Sequence, residues 1–121
     1  MEKPDVTWRV FSIYMLILLF VLLCGSAKAQ IQLAVFNAEW NSSNDVRDWA
    51  FSMEDVQTYL YVDINDQKDM QKKHGIAVIP TIIIFKDDEE VARFQADLSF
   101  KMLATKEEVQ EEISNQLMSD F

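Results

Sequence analysis

Hydrophobic positions fall in two regimes along this chain: one unbroken apolar block near the N-terminus, then short runs whose period changes from segment to segment. Residues 31–36 (IQLAVF) alternate and are rich in apolar side chains, which predicts a buried strand. Asn41 to Asn44 supply N-cap side chains, Asp45 and Asp48 place negative charge in a first turn, and Val46, Trp49, Ala50 and Met53 recur at helical spacing. Together they predict a helix of about ten residues. Residues 56–64 (VQTYLYVDI) are β-branched and aromatic and predict a second strand, parallel to the first because a helix joins them through a right-handed crossover. Asp66 is placed to cap a helix running to His74, with Met70 facing inward and Gly75 ending it.

Residues 76–85 (IAVIPTIIIF) are almost continuously apolar and interrupted by Pro80. Proline cannot donate to a sheet ladder, so Pro80 belongs ahead of a strand over 81–85. The acidic turn from Lys86 through Asp87, Asp88, Glu89 and Glu90 then predicts a hairpin into the segment from Val91 onward. Phe94, Ala96, Leu98, Phe100 and Met102 alternate with polar residues, which predicts an unusually long last strand. Thr105 followed by Glu108 is a capping-box signature, and Val109, Ile113 and Leu117 form the apolar stripe of a final helix. Glu107, Glu108, Glu111, Glu112 and Asn115 make its solvated side. No repeat or low-complexity tract interrupts the pattern.

The apolar block, residues 10–27, carries no charge between Arg9 and Lys28. As a helix it would extend about 27 Å, enough for a thin or untilted membrane span. Three readings stay open. Ala27 and Ala29 fit the small-x-small site of a cleaved signal peptide, whereas Glu2 and Asp5 make the leading residues less basic than such peptides usually are. An uncleaved anchor is the second reading. A lipoprotein at Cys24 is the third, weakened by the bulk of Leu23. All three divide the chain into a targeting or anchoring segment (1–29) and one domain (30–121). Each exports the domain or tethers it on the non-cytoplasmic side, in a periplasm or its equivalent.

Composition changes this picture in two ways. Half of the residues are apolar and 12% aromatic, so the domain can build a core with no disulfide or metal. The formal net charge is −9, and removing residues 1–29, with Glu2 and Asp5 against Lys3, Arg9 and Lys28, takes it to −10. Nucleic acid and anionic headgroups are poor partners for such a surface; a basic protein partner, or simple solubility, accounts for it better, the partner lying within a membrane complex if residues 10–27 are retained.

The order strand, helix, strand, helix, Ile-Pro-Thr, hairpin, helix resembles the thioredoxin superfamily over about residues 31–118. Ala38-Glu39-Trp40 resembles the family's segment before its active-site dithiol, Val62-Asp63-Ile64 its Val-Asp segment, and the run from Gly75 to Thr81 its Gly-Ile-x-x-Ile-Pro-Thr motif. The resemblance implies a three-layer α/β fold with a central mixed sheet, here preceded by a hydrophobic N-terminal helix in place of the family's first strand and helix. It also implies a cis-proline at Pro80. The departures fall on the chemistry. Asn41 and Asn44 occupy both cysteine positions, and Val35 occupies that of the buried catalytic aspartate. Dithiol exchange needs a thiolate nucleophile, and the one cysteine, Cys24, lies in the apolar block.

The candidate sites follow. Trp40, Asn41, Ser42, Ser43 and Asn44 form a degenerate active-site loop with amides and hydroxyls and no base, so no catalysis and no cofactor is expected. Val78, Ile79, Pro80 and Thr81 match the groove in which the family binds extended peptide. Asn41-Ser42-Ser43 is also a glycosylation sequon, although helix capping is the simpler role for these side chains. His74, the single histidine, suits a helix C-terminus. Residues 87–90 lack the glycine and spacing of a calcium loop, so no metal is expected. Trp40, Trp49, Phe51, Phe94, Leu98 and Phe100 read as core, unless Phe94, Leu98, Phe100 and Met102 form an exposed partner-binding ridge at a sheet edge. The function expected is that of a redox-inactive interaction or accessory subunit; the alternative is a module holding extended peptide.

Overall fold

Strand β1 (Ile31–Asn37) is buried at every position except Gln32, and so it lies inside the sheet. The structure, a computed structural model, describes residues 13–15 and 29–119. β1 is followed by a 3₁₀ helix (Glu39–Asn44), helix α1 (Arg47–Ala50), β2 (Thr58–Asp63), α2 (Lys68–Lys73), β3 (Thr81–Lys86), β4 (Glu89–Gln95) and α3 (Lys106–Met118). The sheet order is β2-β1-β3-β4. β1 runs parallel to β2 and antiparallel to β3, and β3 runs antiparallel to β4. The mixed sheet and the parallel β1–β2 pair are as expected.

Alternation along the strands divides the core in two. Leu33, Val35, Ile82 and Ile84 meet Val46, Ala50 and Met53 around α1, and Val109 and Ile113 of α3. On the other face Ala34, Phe36, Val62 and Ile83 pack with Ala38, Ile76 and Ile79, with Met70 of α2 against them. Val109 and Ile113 are wholly buried, and burying each contributes about 1.5–3 kcal/mol. The predicted cap of α3 is present: Thr105 Oγ1 accepts from the Glu108 amide at 3.2 Å.

The β3–β4 turn places Asp87 (φ 52°) and Asp88 (φ 71°) in the left-handed region, the geometry of a two-residue turn that matches strand twist. Asp87 also receives the Gln30 amide on Oδ1 at 3.0 Å, and its own amide donates back to the Gln30 carbonyl at 2.9 Å. The same turn thus fixes where the chain enters β1. Gly75, at φ +59°, ends α2 as expected.

Four expectations differ. The long last strand stops at Gln95, with only an isolated bridge between Ala96 and Met102. Asp97 ends it, because its carboxylate accepts from the amides of Ser99 (2.8 Å) and Lys101 (3.2 Å) and from the Ser99 hydroxyl (2.6 Å). Such local bonds compete with a ladder. The helix expected from residue 41 onward is instead a 3₁₀ turn and a four-residue α1, and the capping position of α1 is Val46. α2 begins at Lys68 with no side-chain cap, so Asp66 does not cap it. β2 is confined to Thr58–Asp63. The N-terminal hydrophobic helix lies outside the described residues except at 13–15, and no helix among the described residues is long and apolar enough to cross a membrane.

Candidate functional site

Three segments converge at one end of the sheet: the loop leaving β1, the turn entering β3 and the loop leaving β4. From the first, Asn41 turns inward and is 3% exposed. Its Nδ2 donates to Asn37 Oδ1 at 3.1 Å and to the Phe100 carbonyl at 3.3 Å, while its Oδ1 accepts from Asn44 Nδ2 at 2.9 Å. Asn37, fully buried at the end of β1, returns a 3.5 Å contact from its own Nδ2 to the Asn41 carbonyl. The two asparagines at the expected thiol positions are therefore joined to each other and locked to the β4 loop. Asn41 is a buried network residue and not the helix cap expected of it. Both of its amide hydrogens are engaged, so the sequon nitrogen is closed to glycosyl transfer in the folded domain. Ser42 and Ser43 are exposed.

The second segment carries a cis Ile79–Pro80 bond, as the Ile-Pro-Thr motif implies. Ile79, Pro80 and Thr81 are buried and Val78 half-buried. Thr81 Oγ1 donates to the Val78 carbonyl at 2.6 Å, and the Pro80 carbonyl accepts from the Ala96 amide at 3.1 Å. Among the described residues the Ile79 amide and carbonyl take no hydrogen bond.

The third segment holds the aromatic surface. Phe100, at φ 65°, sets its ring edge-on to Trp40, with centroids 5.2 Å apart and planes at 87°. Trp40 is 60% exposed, Leu98 91% and Phe100 39%. Core positions were expected for all three. The exposure of Leu98 and Phe100 follows from the Asp97-centred loop, which turns the chain outward where a continued strand would have buried alternate residues; Trp40 is exposed on the 3₁₀ turn after β1. Trp49, Phe51 and Phe94 do pack on the core, and so does Met102, so the expected ridge of four divides evenly between core and surface. Trp40, which the sequence did not place in that ridge, stands against Phe100, and Leu98 is exposed two residues before Phe100 on the same loop.

The remaining candidates have structural roles. Val35 is wholly buried among apolar neighbours. The His74 ring lies 5.5 Å from both Phe36 and Phe85. Burial first, then the charge of Lys73, holds its imidazole below the ordinary range. Among the described residues no cluster of His, Cys, Asp and Glu is arranged to hold a metal ion. Asn37 was not singled out from sequence, and only its place at a strand end beside a run of asparagines could have marked it.

No family model matches the chain, and no curated protein matches it. Solved structures do. A thioredoxin f2 in complex with ferredoxin:thioredoxin reductase is 24% identical, with a TM-score of 0.56 over 80% of this chain and 86% of that one. A thioredoxin from Halobacterium salinarum is 19% identical, with a TM-score of 0.55 over 73% and 75%. The Fasciola hepatica thioredoxin is 23% identical, with a TM-score of 0.53 over 79% and 89%. The fold is thus a thioredoxin-like α/β fold with a mixed four-stranded sheet. The sequence has no Cys-x-x-Cys pair.

Proposed function

We propose that this domain is a redox-inactive thioredoxin-like module that holds a protein partner, as an exported or membrane-tethered accessory subunit. The observation that carries the reading is the exposed Trp40 standing against Phe100, with Leu98 exposed on the same loop as Phe100, beside a loop whose thiol positions are filled by hydrogen-bonded asparagines. Large apolar side chains exposed together, beside polar groups already satisfied internally, favour association over chemistry. Carboxamides are neither nucleophiles nor bases at neutral pH, and no titratable group takes part in the network. The apolar residues 10–27 support export or tethering.

Intact mass and membrane partition of the protein from its native source, followed by pull-down in mild detergent, test this. A chain retaining residues 1–121 that extracts with one fixed partner supports a tethered subunit. A soluble chain beginning near Gln30 with no stable partner would overturn that reading in favour of a module holding extended peptide. That second reading has its own support in the cis Ile79–Pro80 turn and in the Ile79 main chain, left without a hydrogen bond among the described residues. It requires weak binding to many unfolded chains in place of one stable complex.

A further inference from the structure

The two edges of the sheet are built differently. β4 carries Glu89, Glu90 and Arg93, and its pairing with β3 shifts register between Ile84 and Phe85. Charges and irregularities of this kind keep foreign strands from pairing. β2 has neither. Its register against β1 is unbroken from Gln32 opposite Thr58 to Asn37 opposite Asp63. Its sequence, TYLYVD, contains no proline, no lysine and no charge before Asp63. Among the described residues β1 occupies one side of β2 and no strand occupies the other. Leu60 is 36% exposed on this strand.

The surroundings of β2 are acidic at both ends. Glu54 and Asp55 precede it and are exposed, Asp63 closes it, and Asp66 follows, also exposed. The Glu39 amide donates to Asp63 Oδ2 at 3.2 Å, which brings a further carboxylate to that end. Arg47 lies at this edge, its guanidinium 3.8 Å over the Tyr61 ring, and Lys68 follows Asp66 at the start of the next helix. Arg47 is matched by Asp45 at 2.7 Å. The Tyr61 phenol registers the balance: burial raises its pKa first, Arg47 opposes, and Asp45, Asp63 and Glu39 raise it further.

We infer that the open edge of β2 accepts an extended, basic segment of a partner protein as a fifth strand. Main-chain hydrogen bonds would supply the affinity, and lysine or arginine side chains reaching the carboxylates at either end would supply specificity and salt dependence. The β2 edge and the Trp40–Phe100 ridge are tested by different substitutions, so the two readings stand or fall independently.

Amide hydrogen exchange on the full chain tests it, using as probe a short end-blocked peptide of alternating lysine and valine. The expected result is that amides within 58–63 exchange about tenfold more slowly at saturating peptide, less so at high salt, and that a glutamate–valine peptide leaves them unchanged. Glu54→Lys with Asp66→Lys, both at exposed positions, should weaken the lysine peptide about tenfold or more. Protection appearing at 89–95 or 78–81 instead, or nowhere, would overturn the inference. So would β2 amides already slow without peptide in the full chain and fast once residues 1–28 are removed, because the chain would then be covering its own edge.

Discussion

The side-chain amide of Asn41 donates to the main-chain carbonyl of Phe100 at 3.3 Å, a hydrogen bond between positions 59 residues apart. It joins the loop that follows β1 to the loop that follows β4, and it fixes the backbone that presents the Phe100 ring to Trp40. In Asn41→Ala, Asn37 Oδ1, the Phe100 carbonyl and Asn44 Nδ2 all lose a partner. Stability should fall by about 1–3 kcal/mol, read from denaturant unfolding. Adding Asn44→Ala should cost much less than it does alone, since both changes act on one network. Fully additive losses would show that the asparagines are not coupled.

Arg93 clamps β4 to the end of α2. Its guanidinium reaches Glu90 at 2.8 and 2.9 Å, and the carbonyls of His74 and Gly75 at 2.6 and 3.1 Å. The two carbonyls belong to a helix C-terminus, where a cation is favourable. The Glu90 side chain is 37% exposed, so solvent screens the ion pair. Arg93→Ala should therefore cost about 1–2 kcal/mol, and Glu90→Gln no more than about 0.5 kcal/mol. Equal losses from both substitutions would assign the stabilisation to the ion pair instead of the helix end.

The sequence reveals those parts of the fold that depend on local chemistry. Gly75 ends α2 because a left-handed residue is needed there, Pro80 precedes β3 because it cannot donate, and Thr105 caps α3 because its hydroxyl reaches Glu108. Alternation fails where side chains bond their own backbone. From Phe94 to Met102 the period of two is intact, yet the Asp97 carboxylate holds three donors and bends the chain away from the sheet. The site is harder to read for a related reason. Asn41 is a good helix cap by type, and only the tertiary approach of the Phe100 carbonyl gives it a buried role. Trp40 reads as core by hydrophobicity, yet it is exposed on the 3₁₀ turn after β1.

His74 confers a pH dependence whose sign follows from its setting. Burial first, then Lys73 and Arg93 against the opposing Glu90, lower its pKa in the folded domain from the usual 6.5. The unfolded chain thus takes up the proton at higher pH than the folded one. This contribution to stability is complete above about pH 6.5 and declines as pH falls from there toward the lowered folded value. Unfolding midpoints measured between about pH 7.5 and 5 should drop for the native sequence and change less in His74→Gln. An identical slope in both proteins would place the effect elsewhere.

The ridge separates binding from folding. Leu98 is 91% exposed, so Leu98→Ser removes apolar surface without opening a cavity, and stability should stay within about 0.5 kcal/mol of the parent. Trp40→Ser loses the edge-on contact with Phe100 as well, which is worth about 0.5–1.5 kcal/mol, but it leaves the asparagine network intact. If the ridge is the partner surface, both substitutions should reduce recovery of a native partner in pull-down, and the double substitution should abolish it, because central aromatic and aliphatic anchors carry most of an interface's free energy. The folded state of each variant can be checked by its unfolding midpoint. Undiminished recovery from a folded double variant would remove the ridge from the proposal, and the partner would then have to engage another face of the domain.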